Sequence, residues 1–506
     1  MSTIGKTGSR TPTYVKPEPK QETAKQPAQA QRNAVKTAVD QRMRDGFDAA
    51  PARAGSASRP QVLTETRTSE NAPPSPGGGL GKAIAKLGEK VKQAAGSATA
   101  PQVSTNANGQ TVVDLGAGNN TATVTMNKSG GLVIQSGSDT VTLSPEQSRN
   151  AIINGGAGND SITVDKNVTV DVTLDGGDGN DKLTGGAGHD TIRGGAGNDT
   201  IIGGAGNDSV SGDDGDDYVE GGAGDDLVQG GAGRDVLYGL DGNDLLNGGE
   251  GRDYIDAGAG DDTATGGAGD DQVIGGRGDD TLSGGEGNDA VAGGAGKDTV
   301  SGNAGDDKLY VEEGEETADA AEGERTIVDM TDADQRGSSV KVEGSPEFQA
   351  RVQSDLDAMR SLPSGQELLG TLDSSGRSTT IRETSGGNTA SGTNFNDGFF
   401  NADGTPGKGS DASVNYNTTR ISLGGDEWMN RPPIVGLFHE LVHASDIANG
   451  TLANGSKDGV RNLETSAVGL PIDLDQNPAT PDVVQPGRPG ENVLRDELNL
   501  PTRPHY

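Results

Sequence analysis

Gly194–Ile202 reads GGAGNDTII, and Gly284–Ala292 repeats the same pattern as GGEGNDAVA. Both follow the template G-G-x-G-x-D-x-U-x, in which U is an apolar residue. Fifteen consecutive copies run in phase from Gly176 to Tyr310. Glycine tolerates the positive φ of a tight turn, and the last three positions suit a short strand with its apolar residue pointing inward. A flexible glycine-rich linker does not hold an acid and an aliphatic residue in fixed phase, so we predict a folded, repetitive β structure.

The sixth position of the repeat is aspartate in every copy. Carboxylate and turn carbonyl oxygens are hard ligands that suit Ca²⁺. We predict a parallel β-roll in which two nonads form one coil, and stacked coils bury what a single coil cannot. Calcium binding and folding should then be linked, because the stacked carboxylates repel one another without the ion. The candidate calcium ligands are Asp181, Asp190, Asp199, Asp208, Asp217, Asp226, Asp235, Asp244, Asp253, Asp262, Asp271, Asp280, Asp289, Asp298 and Asp307.

The composition argues for several domains and against a single large core, because only 30% of the 506 residues are hydrophobic. The formal net charge of −35 disfavours nucleic acid as a partner, and the roll accounts for much of the acid. The chain has no cysteine, which excludes Cys-ligated zinc. We find no apolar run long enough for a transmembrane helix and no apolar core of a signal peptide. We therefore expect any export to use a route that needs no such peptide.

The chain divides by composition into five predicted segments. We expect a transient helix over Leu80–Ala95, within the first segment. The alternative is that this helix binds a secretion chaperone. Further helices are predicted over 348–362 and 432–448, and a strand over 378–382. The segments are a disordered leader (1–100), an irregular β cap (101–175), the β-roll (176–310), an acidic linker (311–326) and a globular α+β domain (327–506).

The helix predicted over 432–448 carries His439-Glu440-Leu441-Val442-His443. Two histidines at i and i+4 lie on one face of a helix and can bind one Zn²⁺. Glu440 lies between them and can act as general base toward the water that the metal activates. This pattern predicts a catalytic zinc site.

The third zinc ligand is less well determined by the sequence. Glu464 lies 21 residues beyond His443 and is our first choice, while Asp446, Asp458 and Asp473 are alternatives. Asp446 is one helical turn past His443 and is better suited to orienting an imidazole. It also stands, with Asn449, where a metzincin has Gly and His, which excludes that class.

Arg503 and Tyr506 form an R-x-x-Y pair. The arginine charge and the tyrosine hydroxyl could stabilise the oxyanion of a tetrahedral intermediate. The alternative is a disordered tail without a catalytic role.

The segment from about Phe348 to Tyr506 resembles the type III effector zinc metallopeptidases of the NleD-like family. The resemblance rests on FHELVHASDIANG (Phe438–Gly450), NLETSAVGL (Asn462–Leu470) and ENVLRDELNLPTRPHY (Glu491–Tyr506). It implies a gluzincin-like endopeptidase that cuts host signalling kinases, with His439, His443 and Glu464 as zinc ligands, Glu440 as base, and Arg503 and Tyr506 as catalytic residues. Residues 155–310 resemble the RTX repeats of secreted proteins.

These observations favour a secreted bacterial zinc endopeptidase that carries a calcium-binding roll and is delivered into a host cell. The alternative is a calcium-dependent surface or adhesion protein whose C-terminal domain holds zinc without catalysis. In the first interpretation the roll is expected to be a passenger or a recognition arm rather than a part of the active site.

Overall fold

The computed structural model describes residues 100–318, 325–401, 405–419, 431–453, 456–457, 460–470 and 489–504. The predicted leader and its helix over 80–95 lie outside the described residues. From residue 102 to residue 327 the chain forms short strands joined by turns. In chain order these strands are β1 Gln102–Thr105, β2 Thr111–Asp114, β3 Thr121–Met126, β4 Leu132–Ser136, β5 Asp139–Thr142, β6 Ala151–Ala157, β7 Ser161–Val164, β8 Val172–Asp178, β9 Lys182–Thr184, β10 Thr191–Ala196, β11 Thr200–Ala205, β12 Ser209–Asp214, β13 Tyr218–Ala223, β14 Leu227–Ala232, β15 Val236–Asp241, β16 Leu245–Glu250, β17 Tyr254–Ala259, β18 Thr263–Ala268, β19 Gln272–Arg277, β20 Thr281–Glu286, β21 Ala290–Ala295, β22 Thr299–Ala304, β23 Lys308–Val311, β24 Glu316–Ala318 and β25 Arg325–Ile327.

Successive strands of the roll enter two opposite sheets. Within the described residues, the first sheet has 12 strands in the order β1-β2-β6-β8 and then every even strand to β24. The second sheet has 13 strands and runs from β25 through the odd strands down to β7, then β3-β4-β5. Parallel neighbours pair with an offset of two nonads, as Ile201 does with Val219. Both residues are 0% exposed, so the predicted β-roll, with its apolar eighth position inside, is confirmed.

The ends of the roll differ from its middle. At the N-terminal end, β1 pairs antiparallel with β2, and β3, β4 and β5 form an antiparallel meander. At the other end, β24 and β25 extend the two sheets within the segment that was predicted as an acidic linker. Val311 in this segment is 1% exposed and continues the inner core. Strand pairing therefore continues beyond the recognisable repeats, because a neighbouring strand offers backbone hydrogen bonds to any sequence.

The C-terminal region is an α+β structure, as predicted. A sheet in the order β26-β27-β29-β28 is parallel except for β28. The predicted helices and the predicted strand over 378–382 are present, with ends shifted by a few residues. The elements are β26 Val340–Glu343, α1 Pro346–Arg360, α2 Pro363–Ser374, β27 Thr379–Glu383, β28 Thr389–Gly392, β29 Ala412–Tyr416, α3 Pro433–Asn449, β30 Ser456–Lys457, β31 Val460–Arg461, α4 Asn462–Val468 and α5 Glu491–Glu497, with 3-10 turns at Ala333–Gln335 and Phe395–Gly398.

Helix α1 lies against the outer face of the second sheet of the roll, where it contacts β15, β17, β19 and β21. Its first turn is capped by Ser345, whose side chain accepts a hydrogen bond from the backbone N–H of Phe348. Tyr238 and Tyr254 of the roll share one hydrophobic cluster with Val352 of this helix. The roll and the C-terminal region therefore have a common core.

Candidate functional site

Helix α3 lies at the centre of the C-terminal region and carries the two histidines. Pro433 occupies its first turn, where the missing N–H costs no hydrogen bond. Gly450 ends the helix with a φ of 71°, and its N–H donates to the carbonyl of Asp446. A Cβ at Gly450 would lie 2.4 Å from the carbonyl oxygen of Gly407, so only glycine suits this position.

The structure brings His439, His443 and Glu464 together. Helix α4 presents Glu464 to the histidine face of α3, and one ligand atom from each residue lies within 4.8 Å of the others. Glu464 Oε2 is 3.2 Å from His443 Nε2 and 3.6 Å from His439 Nε2. Donor atoms of a tetrahedral zinc site with bonds of about 2.1 Å stand about 3.4 Å apart. The spacing of these three side chains therefore fits a zinc ion.

Glu491 is a site residue that was not predicted from the sequence. Its side chain is 0% exposed, and its Oε2 lies 2.8 Å from His439 Nδ1, on the opposite side of the ring from Nε2. Three arginines surround the carboxylate: Arg495 Nε at 2.7 Å, Arg431 Nη1 at 3.4 Å and Arg503 Nη1 at 3.4 Å. Glu491 is thus placed to fix the tautomer and the orientation of the His439 ring.

Glu491 and His439 each shift the pKa of the other in favour of its charged form. Burial disfavours the Glu491 carboxylate, but His439 and the neighbouring arginines outweigh burial and hold its pKa well below the usual range. Burial likewise opposes protonation of His439, but Glu464 and Glu491 raise its pKa above the ordinary value. The Glu491 carboxylate is therefore ionised at neutral pH and can accept a hydrogen bond from Nδ1–H.

The repeat aspartates form two rows, one along each side of the roll. In each row the backbone N–H of one aspartate donates to Oδ1 of the aspartate one coil further on, as Asp181 does to Asp199 at 2.7 Å. In the aspartates named at the end of this paragraph, the other carboxylate oxygen faces a glycine turn, is buried, and accepts no hydrogen bond from the described residues. Burial raises the pKa of Asp199 to about 8, so an ionised carboxylate here needs a cation. The aspartates that share this unpartnered Oδ2 are Asp160, Asp181, Asp199, Asp208, Asp217, Asp226, Asp235, Asp244, Asp253, Asp262, Asp271, Asp280, Asp289 and Asp298.

Residues 336–506 match the family model of Peptidase M91, which is described as an effector protein. The C-terminal region is a Peptidase M91 effector domain. It follows RTX calcium-binding nonapeptide repeats, which match in overlapping stretches between residues 148 and 317. The family implies a peptidase that acts on protein substrates, and the repeats imply calcium binding. No curated protein matches the chain.

The other predicted site residues of the M91 domain differ from one another in burial and in hydrogen bonding. Glu440 is 8% exposed and follows His439 on α3. Asp446, proposed to orient an imidazole, accepts a hydrogen bond from the Thr451 hydroxyl at 2.8 Å. Arg503 is 7% exposed and is held to α5, because its backbone N–H donates to Asn492 Oδ1 at 2.7 Å. Tyr506, Asp458 and Asp473 lie outside the described residues.

Two aspartates of the RTX repeats change the set of calcium ligands that we propose. Asp190 was predicted as a calcium ligand, but its Oδ2 accepts the N–H of Gly186 at 2.7 Å and its Oδ1 accepts the N–H of Val172 at 2.9 Å. Both oxygens are used by the backbone, so Asp190 is left out of the calcium ligands that we propose below. Asp160, in an outlying copy of the repeat, shares the geometry of the regular rows.

Within the residues that the structure describes, no helix is both long and apolar enough to span a membrane. The M91 domain and the RTX repeats are consistent with a secreted protein.

Proposed function

We propose that the M91 domain is a zinc-dependent endopeptidase in which His439, His443 and Glu464 hold the metal. The observation that carries this proposal is the spacing of the three donor atoms, 3.2 and 3.6 Å between Glu464 Oε2 and the two imidazoles. The described residues offer three such ligands, whereas structural zinc takes four protein ligands. A site with three ligands leaves a position for water or substrate, which favours catalysis over a purely structural metal.

The zinc ion, when bound, supplies a Lewis acid that lowers the pKa of a water molecule and polarises the peptide carbonyl. Glu440 is the general base: it accepts a proton from the attacking water and delivers it to the leaving amine. Glu491 holds His439 with Nδ1 protonated, so that Nε2 faces the metal position. In this proposal Arg503 and Tyr506 stabilise the oxyanion, and Glu491 fixes the position of the Arg503 guanidinium.

The calcium ligands in this proposal are the buried aspartates of the two rows, with Asp160 added and Asp190 left out. We further propose that the roll folds outside the producing cell, where calcium is abundant enough for weak extracellular sites. Host signalling kinases as substrates and delivery into a host cell follow from the family resemblance, and both belong to this proposal.

The experiment is a comparison of metal content and peptide cleavage for the wild-type chain, Glu440→Gln and Glu367→Gln. Glu367 is an exposed acid on α2 and serves as the matched control. We expect Glu440→Gln to retain one tightly held zinc and to lose cleavage by about 10²–10⁴-fold, while Glu367→Gln behaves as wild type. Full cleavage by Glu440→Gln would contradict the proposal and would favour the alternative of an adhesion protein with non-catalytic zinc.

A further inference from the structure

The outer face of the second sheet packs against the M91 domain through buried side chains. Tyr238 and Tyr254 are 0% and 2% exposed there and pack in the cluster that includes α1. Leu240 adopts a φ of 79° at a repeat position where glycine is usual, and its side chain lies in the same cluster. A positive φ is costly for leucine and persists only where the surroundings impose it. Packing at this junction therefore overrides the local preference of the backbone.

Arg351 of α1 is the polar centre of this junction. Its side chain is 2% exposed, and its Nη1 lies 2.8 Å from Asp355 Oδ1. Its Nε donates to the hydroxyl of Tyr218 at 3.2 Å, and its guanidinium lies 3.2 Å from the centre of the Tyr238 ring. The roll supplies both of these last contacts. Without the roll, a buried arginine would lose its cation–π partner and a hydrogen-bond acceptor.

The roll also contacts helix α5, which carries Glu491. The Lys308 ammonium donates to the carbonyl of Asp496, and the Tyr310 hydroxyl donates to the carbonyl of Glu497 at 3.1 Å. Just after the helix, the Asn499 side chain donates to the carbonyl of Asn288 at 3.1 Å. The roll thus holds the C-terminal end of the short helix whose first residue fixes His439.

We propose that the calcium-loaded roll positions the metal site of the M91 domain, with Lys308 and Tyr310 as positioning residues that act through α5 and Glu491. This inference rests on the proposed function and adds the regulation of the same site. It replaces the expectation that the roll is a passenger. Loss of calcium leaves the buried aspartates of the roll without counter-charge, so the roll loosens. The contacts between the roll and α5 then weaken, as does the hydrophobic cluster that the roll shares with the M91 domain. Glu491 consequently no longer holds the His439 ring in position.

The test uses the full chain, freed of calcium by dialysis and held at a fixed free zinc concentration. We expect calcium, but not magnesium, to strengthen zinc binding by about 10–100-fold, the effect typical of restoring a hydrogen-bond partner to a metal-binding histidine. Calcium should also slow amide hydrogen exchange in residues 433–449 and 491–497. Unchanged zinc affinity and exchange while circular dichroism shows the roll unfolded would overturn the inference.

A double variant separates positioning from general folding. Lys308→Met with Tyr310→Phe keeps the apolar bulk and removes the polar contacts of both side chains to α5. We expect several-fold weaker zinc binding with unchanged calcium binding. Lys182 occupies the same repeat position as Lys308 at the other end of the sheet and is exposed, so Lys182→Met is the matched control and should bind zinc as wild type. Equal zinc affinity in the double variant and the control would count against the inference.

Failure of this inference can be distinguished from failure of the proposed function. If Glu440→Gln cleaves normally, the peptidase mechanism is wrong, but zinc affinity and exchange still report whether calcium positions the site. If Glu440→Gln is inactive and calcium changes neither measurement, the peptidase mechanism stands and the inference is overturned.

A second, independent observation concerns the last coil of the roll. Glu315 precedes β24 as Asp298 precedes β22, and the pairing of Thr299 with Glu316 places the two acids at neighbouring positions. They are 8% and 1% exposed. Glu315 Oε1 and Asp298 Oδ2 are buried and accept no hydrogen bond from the described residues. Two adjacent buried carboxylate oxygens without a donor require a cation or a shared proton.

We infer that Glu315 and Asp298 form a terminal calcium site, in which glutamate takes the place of the next aspartate of the row. The backbone N–H of Glu312 donates to Glu315 Oε2 at 2.7 Å, which leaves the buried Oε1 without a donor among the described residues. Hard carboxylate oxygens at the end of a calcium-binding row favour Ca²⁺ over softer metals. The site would lie at the C-terminal end of the roll, after the last glycine turn of the repeats.

Metal analysis after equilibrium dialysis at a fixed calcium concentration tests this site. We expect Glu315→Gln to bind one calcium ion fewer per chain than wild type, while Glu315→Asp keeps the ion. Glu313 is exposed two residues away, so Glu313→Gln is the control and should match wild type. An unchanged count in Glu315→Gln would overturn the inference, and a more stable calcium-free Glu315→Gln protein would then identify a shared proton.

Discussion

The two sheets of the roll share one repeat but differ on their outer faces. Outward positions of the first sheet are mostly small or polar, such as Ser211, Thr265 and Ser283. The same positions of the second sheet hold buried aromatic and apolar residues, such as Tyr238 and Ile274. The repeat template fixes the inner face and the turns, and it leaves the outer positions free. Departures at those positions therefore mark the face against which the rest of the chain packs.

The first prediction tests this difference with two arginines, one on each face. Arg351→Ala removes the charge that faces Asp355 and Glu220 in the buried junction, so we expect a loss of about 3–5 kcal/mol in the free energy of unfolding. Arg193 pairs with Asp213 on the first sheet, where both side chains are partly exposed. Arg193→Ala should cost about 0–1 kcal/mol. Denaturant unfolding of the calcium-loaded proteins measures both, and equal losses would contradict the proposed difference between the faces.

The second prediction concerns a carboxylate in the same junction. Asp256 is 1% exposed, and burial, only partly offset by Arg351, raises its pKa to about 7. In the unfolded chain its pKa is about 4. As pH rises from about 4 to about 7, the unfolded state releases this proton first, so the contribution of Asp256 to stability falls through that window and is constant above it.

Asp256→Asn should remove this penalty. We expect a stability gain on the order of 2 kcal/mol at pH 8 and almost none at pH 4. Thermal unfolding across this pH range measures the difference between variant and wild type. A gain that does not depend on pH would show that the Asp256 carboxylate does not titrate in the junction.

The third and smallest effect concerns the turns, which should be alike on both sides of the roll except at Asp190. Asp226→Asn removes a charged oxygen that lacks a donor and should lower the number of calcium ions bound near neutral pH. Asp190→Asn changes a carboxylate whose two oxygens already accept backbone N–H groups, so we expect an unchanged calcium count. Calcium titration by calorimetry compares the two variants, and an equal loss in both would place Asp190 among the ligands.

Much of the fold followed from the sequence because the repeat fixes backbone and core together. The partner of the second sheet was not predicted, although the signal was present: four of the seven tyrosines of the chain, Tyr218, Tyr238, Tyr254 and Tyr310, occupy its outward positions. An amphipathic pattern shows that a face is covered but does not show by what. The different hydrogen bonding of Asp190 was not predicted, because the preceding coil lacks the glycine turn and its effect on the next coil appears only once the coils are stacked.

The candidate metal site was predictable to the extent that it is local. His439 and His443 share one helix face, so their spacing alone places them together. Glu464 was the first choice among several acids, because a second helix can fold back onto the first, and the structure places it beside the two histidines. Glu491 was missed because its role depends on three arginines and a histidine that approach from four different positions in the chain, and no sequence period records such a convergence.

Zinc K-edge X-ray absorption of the calcium-loaded chain, with one zinc per molecule, identifies the ligands of the proposed metal site. We expect two imidazole nitrogens and a carboxylate oxygen at about 2.0–2.2 Å from the metal, and one fewer imidazole in His443→Ala. An all-oxygen shell that is unchanged in His443→Ala would place the zinc among the roll carboxylates and would contradict the account.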